Sequence, residues 1–245
     1  MGRYDGKTAL ISGASVGIGK EIAESLLAEG ARVISVARRP LEIDSDRVHS
    51  ICVDLADVAA VNDCAEELAR TEKIDIVVNN AGIVRNTPLG EITDDEFDLL
   101  HNLHVRSAIK LAQAALPHMK AQGFGRIINM SSRAVVGLQQ RTVYAATKAA
   151  MISMTRTWAL ELGPHGITVN AIAPGPVVTD MLTADIPEES EKAKGLAESL
   201  PMRRLGKASD IARATLFFAD PENDWVTGQT LFVCGGGSLG SLTVI

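Results

Sequence analysis

In the stretch TVYAATKAA, residues 142–150, Tyr144 and Lys148 stand four positions apart within a run of alanines. Alanine favours a helix, and residues four apart on a helix share a face. A free phenol titrates at about pH 10, too high for ready proton exchange near neutrality. A lysine charge about 4–5 Å away, at an effective dielectric of about 20, would favour phenolate by up to about 4 kcal/mol. Such a phenol can give a proton to a carbonyl oxygen as hydride arrives and take it back in the reverse direction. An incidental surface tyrosine and lysine is the competing reading, and the pair alone does not decide between them.

A second candidate is SGASVGIGK, residues 12–20, which sets Gly13, Gly17 and Gly19 in a GxxxGxG spacing with Ser15 and Ile18 between them. Glycine permits a tight turn and close approach of backbone to a pyrophosphate, whose charge then sits at a helix N-terminus. The alternative is a turn that merely uses glycine, but the position between an apolar run and an amphipathic one favours nucleotide binding. The next apolar run ends SVARRP. An acid at this point usually holds ribose hydroxyls; Ala37 stands here instead, followed by Arg38 and Arg39. A guanidinium pairs with a 2′-phosphate that an acid would repel. NADP(H) is therefore favoured, NAD(H) is the alternative, and two solvent-facing cations are the structural reading. Asp54, followed by Leu55, is placed to accept from an adenine amino group, or else caps the helix that begins in ADVAAV.

These side chains need a scaffold that brings distant segments together. Short apolar runs at 8–13, 32–37, 48–55, 74–82, 126–132, 167–174 and 231–236 read as strands. They are continuous rather than alternating, as expected of parallel strands covered on both faces. Between them, 18–29, 57–71, 94–120, 144–162 and 209–219 read as helices. Alternation of this kind predicts a doubly wound α/β sheet with right-handed crossovers. No linker or repeat interrupts it, so one domain over 1–245 is expected. The long stretch 175–208, rich in proline and polar residues, reads as a substrate-covering lid.

Composition narrows the function. The chain has 245 residues, 46% apolar and 22% charged, with a formal net charge of −6. That balance argues against a nucleic-acid binder or a protein held on anionic lipid. Cys52, Cys64 and Cys234 form no close pair and read as reduced core thiols. No clustered ligand set suggests a metal. No apolar run spans a membrane, and the first begins at Thr8, so a cytoplasmic protein is expected.

The pieces SGASVGIG, NNAG (79–82), NMSS (129–132), YAATK (144–148), VNAIAPG (169–175) and TGQTLFVCGG (227–236) occur in one order across nearly the whole chain. In this order they resemble the short-chain dehydrogenase/reductase family, of the simple single-domain type, and are similar to its 3-oxoacyl-acyl-carrier-protein reductases. The resemblance implies a Rossmann-type sheet of seven parallel strands in order 3-2-1-4-5-6-7, and commonly a homotetramer. It implies that Tyr144 is the catalytic acid/base, that Lys148 is its electrostatic partner and a ribose ligand, and that Ser132 holds the substrate oxygen. The separation from Ser132 to Tyr144 is one residue shorter than is usual; Ser131 would restore it, but the strand pattern favours Ser132. Asn80, Ala81 and Gly82 should lie against the cofactor, as should Pro174, Gly175, Val177 and Thr179.

The family usually places an asparagine on the fourth long helix, completing a proton relay from Lys148 through a water. Here that position falls on His104, with Asn102 turned about 200° away. His104 can hold a water and shuttle protons; a buried packing histidine is the alternative. A second departure is Cys234, where relatives often carry aspartate, expected to affect packing more than chemistry. The reaction implied is interconversion of a ketone and a secondary alcohol, with a 3-oxoacyl carbonyl as first choice. The basic docking residues typical of those reductases are missing from AQGFG and GPHG, so a small sugar, polyol or hydroxy compound is the runner-up. Arg85, Arg133 and Arg141 lie near the expected mouth and could attract an anionic substrate. A cofactor-sensing binding protein that has lost turnover is the reading from another class.

Overall fold

Each apolar run becomes a parallel strand in the computed structural model, which describes residues 2–239. Met1 and residues 240–245, the ends of the expected 1–245 domain, lie outside the described residues. The strands are β1 (Thr8–Ser12), β2 (Arg32–Ala37), β3 (Val48–Cys52), β4 (Ile76–Asn79), β5 (Gly125–Met130), β6 (Ile167–Pro174) and β7 (Thr230–Val233). They join in one sheet of order β3-β2-β1-β4-β5-β6-β7, as the sequence predicts. The order reverses between β1 and β4, and that switch opens a crevice at the C-terminal strand ends.

The helices are α1 (Gly17–Ala28), α2 (Val58–Thr71), α3 (Asp94–His101), α4 (Ser107–Gln122), α5 (Thr142–Leu162), α6 (Asp180–Thr183), α7 (Glu191–Glu198) and α8 (Ala208–Ala219). Strand side chains alternate between two cores. Ala9, Ile11, Ile76, Val78 and Ile128 face one core, built with Leu26 of α1 and Phe218 of α8. Leu10, Val77, Ile127 and Val169 face the other, built with Leu68 of α2, Leu111 of α4 and Leu162 of α5. Fully burying each such side chain contributes about 1.5–3 kcal/mol, so every central strand is clamped from both faces.

Two expectations need correction. The edge strand β3 is only partly covered, and Cys52 at its end is exposed rather than in the core; Cys64 and Cys234 are buried, and all three are free thiols. The helix expected over 94–120 is interrupted by a π-helical turn at Asn102–Arg106 between α3 and α4. The stretch 175–208 contains the short helices α6 and α7. No helix among the described residues is long and apolar enough to cross a membrane.

Candidate active site

The glycine loop is held by groups just beyond β4. Ser12 Oγ accepts from the backbone amides of Asn80 and Ala81, each at 3.0 Å. Asn80 Nδ2 donates to the carbonyls of Ser12 at 3.0 Å and Gly13 at 3.2 Å. A Cβ on Gly19 would stand 2.2 Å from Gly13 O, so only glycine lets α1 start this close to the loop. Val16, which precedes α1, offers no side-chain cap, leaving first-turn amides for an anion. Ser15 and Ile18 lie half-buried along this turn. Arg38 and Arg39 are exposed just beyond β2, and among the described residues neither is ion-paired.

Ala37 and Leu55 are buried beside this cleft, while Asp54 is exposed. The helix-cap alternative for Asp54 is not what the structure contains. Asp57 caps α2, its Oδ1 accepting from Ala59 and Ala60, and Asp54 Oδ1 accepts from Ala56 at 3.0 Å. Beyond Pro174 and Gly175, Val177 bridges to Gly206, and Thr179 Cγ2 lies 3.4 Å from the point a Gly17 Cβ would occupy. Thr179, far away in sequence, thus lies against the glycine loop at Gly17. A close-packed glycine turn, an uncapped helix start and unpaired guanidiniums fit a phosphorylated dinucleotide.

Ser132, Tyr144 and Lys148 meet beyond the end of β5. Ser131 Oγ donates to Lys148 O at 2.7 Å and is buried, so it is committed to the backbone. Ser132 caps the turn at Ala134, and its hydroxyl lies on the Tyr144 side of that turn, where it lowers the phenol pKa. The one-residue ambiguity therefore favours Ser132 on geometry. Lys148 is 4% exposed, its Nζ donates to Met130 O at 2.9 Å, and burial brings its pKa down to about 8.

The charge argument needs correction here. Lys148 Nζ lies 6.0 Å from the Tyr144 ring centre, and burial dominates, raising the phenol pKa. Ser132 and Arg141 oppose that rise; Arg141 Cζ stands 5.9 Å from the ring centre. With the site in this state, the phenol is a protonated donor rather than a ready base.

His104 projects inward from the π-helical turn and is 2% exposed. Its Nε2 accepts from the amide of Ile83 at 3.1 Å, and its Nδ1 is 2.8 Å from Thr147 Oγ1. Asn102 faces outward and accepts from Arg106 Nε at 3.0 Å, so of these two side chains it is His104 that turns into the site. A water relay, however, needs a free ring nitrogen, and both are engaged; the buried alternative describes the ring better. Burial first, then Lys148, lowers the His104 pKa to about 2.

Comparison with known proteins places this geometry. The family model described as "Enoyl-(Acyl carrier protein) reductase" matches residues 13–238. The chain is 40% identical over 256 residues to a sorbitol dehydrogenase of Cereibacter sphaeroides, covering 96% of this chain and 98% of the relative. It is 37% identical over 243 residues to the 3-oxoacyl-acyl-carrier-protein reductase FabG of Escherichia coli strain K12, covering 95% and 98%. The crystal structure of a blue fluorescent protein from a metagenomic library in complex with NADPH superposes with a TM-score of 0.86. It is 36% identical and covers 96% of this chain and 99% of that one. The chain belongs to the short-chain dehydrogenase/reductase family.

Within this dehydrogenase/reductase several supporting residues escape sequence reasoning. Asn79 Nδ2 donates to Asn129 Oδ1 at 2.8 Å, and Asn129 Nδ2 donates to Thr155 Oγ1 at 2.9 Å. This buried chain fixes β4 and β5 against α5, and nothing in the local pattern marks it. Ser12 is likewise invisible, because its partners Asn80 and Ala81 lie 68 and 69 residues away, just beyond β4. Of the arginines expected near the mouth, Arg141 rests on Arg85 O at 3.2 Å, and Arg133 is committed to Gly237 O at 3.1 Å.

Proposed function

We propose that this short-chain dehydrogenase/reductase interconverts a ketone and a secondary alcohol with NADP(H), a 3-oxoacyl thioester being the first substrate class. The observation that carries the reading is the convergence of Ser132, Tyr144 and Lys148 beyond β5, opposite the glycine loop. When bound, the nicotinamide supplies or accepts the hydride. The hydroxyls of Ser132 and Tyr144 hold and polarise the substrate oxygen, and Tyr144 gives it a proton. Lys148 stands behind the phenol with its ammonium toward Met130 O and serves the ribose.

Gly13, Ser15, Gly17, Ile18 and Gly19 cradle the pyrophosphate, with Asp54 and Leu55 at the adenine. Asn80, Ala81, Gly82, Pro174, Gly175, Val177 and Thr179 line the remaining length. Arg38 and Arg39 support NADP(H) over NAD(H), since a guanidinium attracts the extra phosphate and no acid opposes it. The NADPH held by a relative of similar fold supports the same choice. Residues 175–208 form the lid: Asn86 Nδ2 donates to Asp185 Oδ2 at 3.1 Å, latching the lid to the β4 loop. A cytoplasmic homotetramer is the proposed working form; the exposed Leu160, Phe217, Trp225 and Leu231 support burial between copies.

A sugar or polyol ketone is the second reading, supported by the 40% identity to a sorbitol dehydrogenase. Absorbance kinetics with NADPH and NADH over acyl-thioester and sugar ketones test both. NADPH is expected to be preferred, and Tyr144→Phe to lower turnover by about 10²–10⁴-fold with cofactor affinity nearly kept. If no ketone oxidises either cofactor while binding stays tight, the enzymatic reading is lost; if NADH is preferred, the cofactor assignment is.

A further inference from the structure

His104 carries a constraint that its position alone does not reveal. A backbone amide can only donate, so His104 Nε2, 3.1 Å from Ile83 N, carries no proton. A backbone carbonyl can only accept, so the Thr147 hydroxyl, 2.8 Å from Tyr144 O, spends its single proton there. Thr147 Oγ1 must then accept from His104 Nδ1 at 2.8 Å. The contacts assign one tautomer, neutral with Nδ1–H. Protonating the ring would set Nε2–H against the N–H of Ile83, next to a lysine. The same ring meets the Tyr144 ring edge-on, centroids 5.8 Å apart at 83°. A Cβ on Gly82 would lie 3.0 Å from Nε2 and 3.3 Å from Lys148 Nζ, so the β4 loop, His104 and Lys148 close on one point.

We propose that His104 is a positioning residue, a neutral Nδ1–H brace that ties the Tyr144 turn of α5, through Thr147, to the loop after β4 at Ile83, and that it carries no proton during turnover. The inference rests on Tyr144 as the proton donor. The brace fixes where the phenol stands relative to the strand ends that line the crevice, and a misplacement of about 1 Å at such a site can cost 10²-fold in rate.

The test joins two readouts on the full-length protein. First, selective ¹⁵N labelling of the five histidines, with Thr147→Val used to assign His104, follows its ring from about pH 5 to pH 9. The brace requires one proton-bearing and one bare nitrogen, unchanged across that range; a His104 ring that titrates there, or carries its proton on Nε2, overturns it. Second, Thr147→Val and His104→Leu should each lower kcat about tenfold or more, with KM for NADPH changed less. The double variant should be no worse than the single ones, because both act through one contact. Thr147→Ser, which keeps the hydroxyl, should restore kcat without altering the pH profile. If Thr147→Val keeps kcat within about twofold while His104→Leu falls, the ring acts otherwise and the proposal fails. Should the wild-type protein turn over no ketone, the Tyr144 reading fails by itself, and the ring resonances still decide whether the brace exists.

Discussion

Among the described residues Lys148 has no carboxylate partner, and burying such an ammonium has a consequence for stability. Its pKa falls from 10.5 to about 8 because burial penalises the charged form. Below about pH 8 folded and unfolded chains both hold the proton, and the fold bears the full penalty. Between about 8 and 10.5 the unfolded chain binds more protons than the folded one, so stability rises with pH. Replacing Lys148 with Met removes this dependence. The variant's stability advantage over wild type, measured by urea unfolding without cofactor, should shrink by roughly 2–3 kcal/mol across that window. A constant gap would mean that the amine is solvated in the folded state. The spacing of Tyr144 and Lys148 was legible because helical periodicity is local. The direction of the phenol's pKa shift was not, since burial by distant segments decides it against the opposing Ser132 and Arg141. The state of His104 was equally hidden, with partners 21 and 43 residues away.

At the scale of elements, the glycine turn is held by packing as well as by conformation. A methyl at position 19 would lie 2.2 Å from Gly13 O and 2.5 Å from Asn80 Nδ2. Neither can retreat: Gly13 O belongs to the turn, and Asn80 is already bonded to Ser12 O at 3.0 Å. Gly19→Ala should therefore shift the start of α1 and detach the loop from β4. Loss of NADPH binding by at least about tenfold, with a destabilisation of about 1–3 kcal/mol, is expected by calorimetry and thermal unfolding. Unchanged affinity would show that the loop does not hold the cofactor. The strands and most helices were legible because apolar runs and helical periods state them directly. The π-helical turn was not, because one widened turn leaves the periodicity of 94–120 almost unaltered. Nor was the exposure of Cys52, since an edge strand differs from a central one in neighbours rather than in composition.

Across the whole molecule, one buried cation joins the middle of the sheet to the segment leading to its C-terminal edge. Arg126 at the start of β5 is 1% exposed. Its Nε donates to Asp220 O at 3.2 Å, Nη2 to Pro221 O at 2.8 Å and Nη1 to Gly125 O at 2.9 Å. Phe124 covers the guanidinium at 4.4 Å. Burial lowers its pKa, while Asp224 and Asp220 partly offset the cost. The residues it grips follow α8 and lead into β7, so the grip sets how that strand meets β6. Arg126→Met retains the stem but strands three carbonyls, each costing about 1–3 kcal/mol if left dry. Allowing for water to reach some of them, a loss of about 3 kcal/mol is expected in urea unfolding, with an unchanged slope. An exposed control, Arg156→Met, should change stability by about 0.5 kcal/mol or less. Because the ends of β5 and β6 carry Ser132 and the Val177–Thr179 segment, Arg126→Met should also raise KM for the ketone. If both variants cost the same, the sheet's C-terminal edge is secured by packing, and the buried guanidinium is incidental to it.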